Sequence, residues 1–186
     1  MFSIGIYLLK ASRLRLYNMS FKLLITFMNV YLLRHAKSSW ENFVDDHSRV
    51  LEKRGRDDAV TLADFIRDKK IKFDLTLCSS AARTKETLDL IYESIPNAFK
   101  EIRFLDSLYH ASGQHILDHL QEINKLNVLL VGHNPGLSEA INFFQKKSDI
   151  DYPTCVFARI SSVGLDKGSE VDFIVRPKNG KIINLT

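Results

Sequence analysis

Cysteine is scarce in this sequence, with only two in 186 residues. Cys78 and Cys155 lie far apart and each sits in an apolar run, so we predict buried free thiols in a reducing compartment, and we expect the protein to be cytoplasmic. No Cys/His spacing resembles a zinc site. A chain of this length also buries enough apolar surface to fold without a metal or a disulfide.

Apolar runs long enough to cross a bilayer are missing as well. The runs at residues 2–9 and 21–27 are short, and basic residues such as Lys10 and Arg15 interrupt this part of the chain. We therefore expect no stable membrane insertion, and no convincing signal peptide is present. Acidic residues are absent before Glu41, which accounts for much of the formal net charge of +4. The remaining charges are nearly balanced, so the composition does not favour nucleic-acid binding.

Residues 1–27 are an extension with three possible origins. They could precede a true start at Met28, they could be an organelle-targeting or membrane-surface leader, or they could be a structural arm. From residue 28 to residue 186 the length and composition predict a single domain.

The hydrophobic pattern alternates between strands and helices. Apolar runs predict strands at residues 28–33, 73–78, 102–105, 127–131, 155–160 and 171–175. Helical spacing predicts helices at residues 51–69, 81–95, 112–124 and 137–145. In the long loop at residues 36–48, Trp40 and Phe43 are expected to anchor the chain. The alternation predicts a three-layer α/β/α sandwich with a mainly parallel central sheet.

Polar side chains follow three of the predicted buried strands. Arg34 and His35 end the first, Arg83 follows the second, and His133 and Asn134 follow the strand at 127–131. In open α/β sheets the ligand site lies outside the carboxyl ends of the strands. If these strands are neighbours, two arginines and two histidines meet in one pocket.

That combination suits a phosphoryl group. Arginine presents a fixed fork of donors to anionic oxygens and keeps its charge, so Arg34 and Arg83 could clamp the group. A neutral imidazole is a competent nucleophile toward phosphorus, and nearby arginines disfavour its protonation, which suits His35. His133 could donate a hydrogen bond to a phosphoryl oxygen, and Asn134 belongs to the same loop.

Each of these residues has a simpler interpretation when it is taken alone. Arg34 with His35 could be a surface or capping pair, His133 a turn residue, and Arg83 a solvated side chain. Ser38 could contact phosphate or only cap its loop. The other histidines are interpreted as surface or helix-face residues: His47, His110, His115 and His119.

Three segments, taken in order, resemble the signature segments of the histidine phosphatase (phosphoglycerate mutase-like) superfamily. They are residues 33–40 (LRHAKSSW), 79–87 (SSAARTKET) and 131–136 (VGHNPG). Within that superfamily they look most like the SixA-type phosphohistidine phosphatase branch, which reads Arg-His-Ala-Lys-Ser where mutases read Arg-His-Gly. The resemblance runs from about residue 28 to residue 177.

The resemblance implies a phosphoglycerate mutase-like fold and a phosphatase that needs no metal or other cofactor. It implies that His35 is the phosphorylated nucleophile and that Arg34, Arg83 and His133 form the phosphate pocket. The implied substrate is a phosphorylated protein carrying phosphohistidine. A small open pocket is compatible with a monomer, which we expect.

One departure concerns the general acid of efficient phosphomonoesterases. Asp106 is the only acidic candidate near the corresponding segment, and it matches poorly. A phosphorylated imidazole leaves more readily than an alkoxide, so a weak acid favours phosphohistidine as substrate. A small-molecule phosphomonoesterase that uses Asp106 remains the first alternative, and a non-catalytic phosphate-binding module is the second.

Overall fold

The computed structural model describes residues 27–40, 45–145, 152–163 and 169–185. Of the predicted extension at residues 1–27, residues 1–26 lie outside the described residues, as does the expected anchor Phe43, whereas Phe27 belongs to the first strand. Seven strands are present: β1 (Phe27–Arg34), β2 (Leu75–Ser79), β3 (Ile102–Leu105), β4 (Asn127–Gly132), β5 (Phe157–Val163), β6 (Glu170–Lys178) and β7 (Lys181–Asn184). The helices are α1 (Lys53–Asp68), α2 (Ala82–Ser94), α3 (Gly113–Gln121) and α4 (Gly136–Phe144).

All seven strands form one sheet in the order β3-β2-β4-β1-β5-β6-β7. Neighbouring strands from β3 to β1 are parallel, whereas β5, β6 and β7 join antiparallel. The predicted α/β fold is confirmed. The sheet is mixed, because only the part from β3 to β1 is parallel. Because β1, β2 and β4 are adjacent and parallel, their carboxyl ends lie at one edge of the sheet. The three polar loops that follow these strands therefore lie close together.

Helices cover both faces of the sheet. On one face α3 and α4 pack on the strands through residues such as Leu117 and Leu137, and on the other α1 and α2 pack through residues such as Leu62 and Leu88. The central strands are therefore buried on both sides, which explains why β4 reads as a continuous apolar run. The result is the predicted three-layer arrangement. Among the described residues, no helix has the length and apolar character needed to cross a membrane.

Two details differ from the expectations. Strand β7 was not predicted, because a four-residue strand with half-exposed side chains carries little hydrophobic signal. Trp40 is not a buried anchor: its side chain is 74% exposed, and the guanidinium of Arg49 lies over its ring at 3.6 Å. The cysteines Cys78 and Cys155 are free and buried, as predicted.

The loop after β1 is held against α1 by a close backbone approach. The Lys37 carbonyl accepts a hydrogen bond from the backbone N–H of Glu52 at 3.0 Å. It also lies so near Gly55 that a Cβ at that position would be 2.1 Å from the Lys37 oxygen. Only glycine allows this contact, so Gly55 fixes the course of the chain immediately after His35.

Replacing Gly55 with alanine should therefore damage both stability and the site. We expect Gly55→Ala to lower the free energy of unfolding by about 1–3 kcal/mol, because the loop or the helix must move to admit the methyl group. Urea unfolding measures the loss. The matched control is Val60→Ala on an exposed position of the same helix, which should change little. Equal stability of the two variants would contradict a tight contact at Gly55.

Candidate active site

His35 lies at the carboxyl end of β1, in the middle of the sheet. Its backbone N–H donates to the Gly132 carbonyl at 3.1 Å, and its own carbonyl accepts from Cys155 at 3.1 Å. The side-chain Nδ1 is 2.8 Å from the Ala36 carbonyl oxygen. A carbonyl can only accept, so Nδ1 carries the proton and Nε2 of the neutral ring keeps a lone pair. The nitrogen available for chemistry is therefore Nε2.

The surroundings of His35 keep its ring uncharged. Burial is the main cause that lowers its pKa to about 3, and the positive charges of Arg83, Arg34 and Arg49 lower it further. The hydrogen bond to Ala36 acts in the opposite direction without reversing the shift. At neutral pH the imidazole is thus in its nucleophilic form.

Arg83 faces the free nitrogen of His35 from the first turn of α2. Its Nε–H donates to His35 Nε2 at 3.3 Å, and the side chain is buried. Its two terminal nitrogens both point to Asp46: Nη2 is 3.0 Å from the carboxylate and Nη1 donates to the backbone carbonyl. Arg83 therefore stands beside the reactive nitrogen, with its orientation set by Asp46.

Arg34 and Asn134 share one backbone partner. Arg34 Nη1 donates to the Tyr152 carbonyl at 2.8 Å, and Asn134 Nδ2 donates to the same oxygen at 2.9 Å. The Tyr152 hydroxyl in turn donates to the Leu32 carbonyl in β1 at 2.7 Å. This fully buried tyrosine segment ties the two predicted phosphate ligands to the strand that carries His35.

His133 follows β4 and lies next to His35, with 5.2 Å between the ring centroids. Its Nε2 is 2.8 Å from the Ser79 hydroxyl, whereas its buried Nδ1 has no hydrogen-bond partner among the described residues. Burial first, and then the electrostatic interactions with the ring of His35 and with the charge of Arg83, lower its pKa to about 3. A neutral His133 whose Nε2 accepts from Ser79 has an Nδ1–H left to donate.

Ser38 is buried, and its hydroxyl accepts from Arg49 Nη1 at 3.1 Å. Arg49 itself was not predicted as a site residue. It is buried, it forms a salt bridge with Asp46 at 2.8 Å, and its charge helps to lower the pKa of His35. Ser38 thus supports a third guanidinium at the site. Its direct contact with phosphate stays a prediction.

Asp46 is the carboxylate of this pocket and was also missed. Besides Arg83 and Arg49, it accepts a hydrogen bond from the Tyr109 hydroxyl at 2.7 Å and lies 3.7 Å from His110 Nε2. The Tyr109 hydrogen bond, followed by the charges of the two arginines, holds the pKa of Asp46 well below its usual range. Asp46 therefore stays ionised and does not serve as a proton donor at neutral pH.

Two of the histidines interpreted as surface or helix-face residues, His47 and the exposed His110, lie beside the pocket. His47 Nε2 lies 3.1 Å from the Ser80 hydroxyl, and the His47 ring meets Tyr109 edge-on at 4.8 Å. The His110 ring is 6.2 Å from His133 and nearly parallel to it. Both are brought to the rim of the pocket by the Asp46–Ser48 turn and the segment after β3. His110 comes after the carboxyl end of β3, and residues in such positions are expected near the ligand site, as His35 was.

Asp106, the predicted acid candidate, lies in the turn directly after β3. It is exposed, and its carboxylate has no hydrogen bond or ion pair with a described residue. Among the described residues, no group of three or more His, Cys, Asp or Glu side chains is arranged to hold a metal ion. The cationic charge of this site comes from its guanidinium groups.

Comparison with known proteins relates a large part of this chain to one family. A family model described as Histidine phosphatase superfamily (branch 1) matches residues 30–110. An uncharacterized chloroplastic protein of Arabidopsis thaliana is 32% identical over 145 residues, which cover 72% of this chain. The match spans 66% of that relative, just under two thirds of its length.

Solved structures give the same picture at the level of the fold. The candidate phosphohistidine phosphatase SixA of Agrobacterium tumefaciens is 26% identical, with a TM-score of 0.72 over 81% of this chain and 98% of that chain. A protein histidine phosphatase SixA complexed with tungstate matches with a TM-score of 0.74 and 19% identity, over 83% and 100% of the two chains. A candidate α-ribazole-5′-phosphate phosphatase of Escherichia coli matches with a TM-score of 0.56 and 16% identity, over 77% and 95%.

The two buried neutral histidines predict a specific loss of stability in acid. Their pKa is about 3 in the folded protein and about 6.5 in an unfolded chain, so below pH 6.5 the unfolded chain binds protons that the folded one does not. We expect the free energy of unfolding to fall as the pH drops from about 6.5 to 4.5, by up to about 1.4 kcal/mol per pH unit for each proton.

Urea unfolding at a series of pH values measures this slope. The double variant His35→Asn, His133→Gln keeps amide donors in place of the imidazoles and should show a shallower slope. His115→Gln, on an exposed face of α3, should leave the slope unchanged. An unaltered slope in the double variant would show that these two rings do not titrate as described.

Proposed function

We propose that the chain is a member of the histidine phosphatase superfamily and a metal-independent phosphatase acting on phosphohistidine in a protein, since a model of that superfamily matches residues 30–110 and a SixA structure shares the fold. Catalysis proceeds through a phosphohistidine intermediate on its own His35. The single observation that supports this most strongly is the unprotonated Nε2 of His35, which lies in a buried pocket 3.3 Å from the Arg83 guanidinium.

In the first step, the Nε2 lone pair of His35 attacks phosphorus and the bond to the leaving group breaks. Arg34, Arg83 and His133 bind the phosphoryl oxygens and stabilise the charge that develops on them. In the second step, water attacks the phosphohistidine, and its N–P bond returns an electron pair to Nε2. Three guanidinium groups in one pocket supply the positive charge that a metal supplies in other phosphatases, which is why the proposal includes none.

The preference for phosphohistidine rests on proton supply. The carboxylate in the pocket, Asp46, is held ionised by Tyr109 and Arg83, and Asp106 has no side-chain contact with the described pocket residues. A site without a carboxylic acid is poorly suited to expelling an alkoxide, whereas a phosphoramidate needs less help. Similarity to SixA proteins supports the same substrate class.

A small-molecule phosphomonoesterase is the second candidate. It is favoured by the likeness in fold to the Escherichia coli phosphatase, whose described substrate is a small phosphate ester. In that case Asp106 would have to protonate the leaving oxygen.

Removal of the nucleophile gives a direct test. His35→Ala should take up no radiolabel from a phosphohistidine peptide labelled in its phosphoryl group, and its kcat should fall by about 10³-fold or more. The unmodified protein should be labelled transiently, also in the presence of EDTA. His115→Gln serves as the matched control and should behave like the unmodified protein. Labelling of the His35→Ala variant would refute the assignment.

The choice between the two candidates is tested with Asp106→Asn. For a phosphohistidine phosphatase, kcat/KM should stay within about twofold on phosphohistidine peptides and on aryl phosphates, because an exposed side chain outside the pocket is removed. A loss of about 10²-fold on alkyl phosphates, with aryl phosphates unaffected, would instead support the phosphomonoesterase.

A further inference from the structure

The proposed reaction needs a proton for the leaving group, and the pocket offers only a few donors. Asp46 is ionised, as argued above. The Tyr109 hydroxyl already donates to Asp46, and both burial and that hydrogen bond raise its pKa. His133 is held neutral by burial, and His47 has its Nε2 against the Ser80 hydroxyl. None of these side chains presents an acidic proton to a departing group.

His110 differs from them in both position and partner. Its Nε2 lies 3.7 Å from the Asp46 carboxylate, and its side chain is 62% exposed. The Asp46 carboxylate, whose pKa is held well below its usual range, therefore places a negative charge beside one nitrogen of the His110 ring. The groups that face His110 are Asp46 from the turn after β1, His133 from the end of β4, and its neighbour Tyr109.

The ring of His110 lies over the pocket residues that precede it and face it. The φ of His110 is 54°, in the left-handed region, where histidine, asparagine and aspartate are the commoner residues besides glycine. The ring packs over Tyr109, with 4.1 Å between the ring centroids, and lies 6.2 Å from the ring of His133.

We propose that His110, paired with Asp46, is the proton donor to the leaving group, an inference that rests on the proposed phosphatase function. Nε2 faces Asp46, so Nδ1 gives the proton. As His35 Nε2 bonds to phosphorus, the bond from phosphorus to the leaving nitrogen or oxygen breaks, and that atom takes its electron pair and the Nδ1 proton of His110. In the second step the neutral His110 accepts a proton from the attacking water, which restores the imidazolium.

The test compares how the rate depends on the leaving group. His110→Asn is the informative variant, because asparagine tolerates the left-handed backbone but is not an acid. We expect kcat/KM to fall by about 10²-fold on phenyl phosphate, whose leaving group needs protonation, and by only a few-fold on dinitrophenyl phosphate, whose leaving group does not. Any alkaline decline of kcat/KM that reports the proton donor should also disappear in this variant.

His115→Gln is the matched control, since it removes an exposed histidine outside the pocket and should change neither property. Equal losses of His110→Asn on both phosphates, or an unchanged dependence on the leaving group and on pH, would overturn the role of His110 and leave the proposed function standing. Inactivity of the unmodified protein toward every substrate in the series would overturn the proposed function, and this inference with it.

Discussion

The chemistry of this site depends on one short hydrogen bond, from Nδ1 of His35 to the carbonyl of Ala36. It fixes the tautomer, so that the lone pair is on Nε2, which accepts a hydrogen bond from the Arg83 guanidinium. The bond exists because the chain turns sharply after β1, and that turn is held by backbone contacts with Gly132 and by the approach of Gly55 to Lys37. These contacts around the end of β1 hold the His35 ring in the orientation that its reaction needs.

Charge balance is the second constraint. Three arginines in a buried pocket would repel one another, and Asp46 offsets this by contacting Arg83 and Arg49 directly. Asp46 accepts from both terminal nitrogens of Arg83, from Nη2 through its carboxylate and from Nη1 through its backbone carbonyl. A phosphoryl group that is bound by Arg83 must therefore share these donors with Asp46, which links substrate binding to the short turn that carries this residue.

The sequence was sufficient for the residues that directly follow buried strands. His35, Arg83 and His133 are near one another because β1, β2 and β4 are neighbours, and apolar runs with polar ends predict such an edge. It was not sufficient for Asp46 and Arg49, which reach the pocket by tertiary packing of a loop that has no periodicity of its own. Tyr109 and His110 could have been found, since they follow a strand, but β3 is short and half exposed, so its end was given no weight. The interpretation of Trp40 failed because a large aromatic side chain does not always lie in the core: here it packs under Arg49 on the surface.

The central claim is that Nε2 of His35 is the atom that receives the phosphoryl group. The most direct measurement is ¹⁵N–³¹P NMR of the phosphoenzyme, trapped by denaturation at alkaline pH after reaction of protein labelled with ¹⁵N in its histidines. The account predicts a single phosphohistidine, at His35, with phosphorus coupled to Nε2. Phosphorus on Nδ1 of His35, or on any other residue, would contradict it.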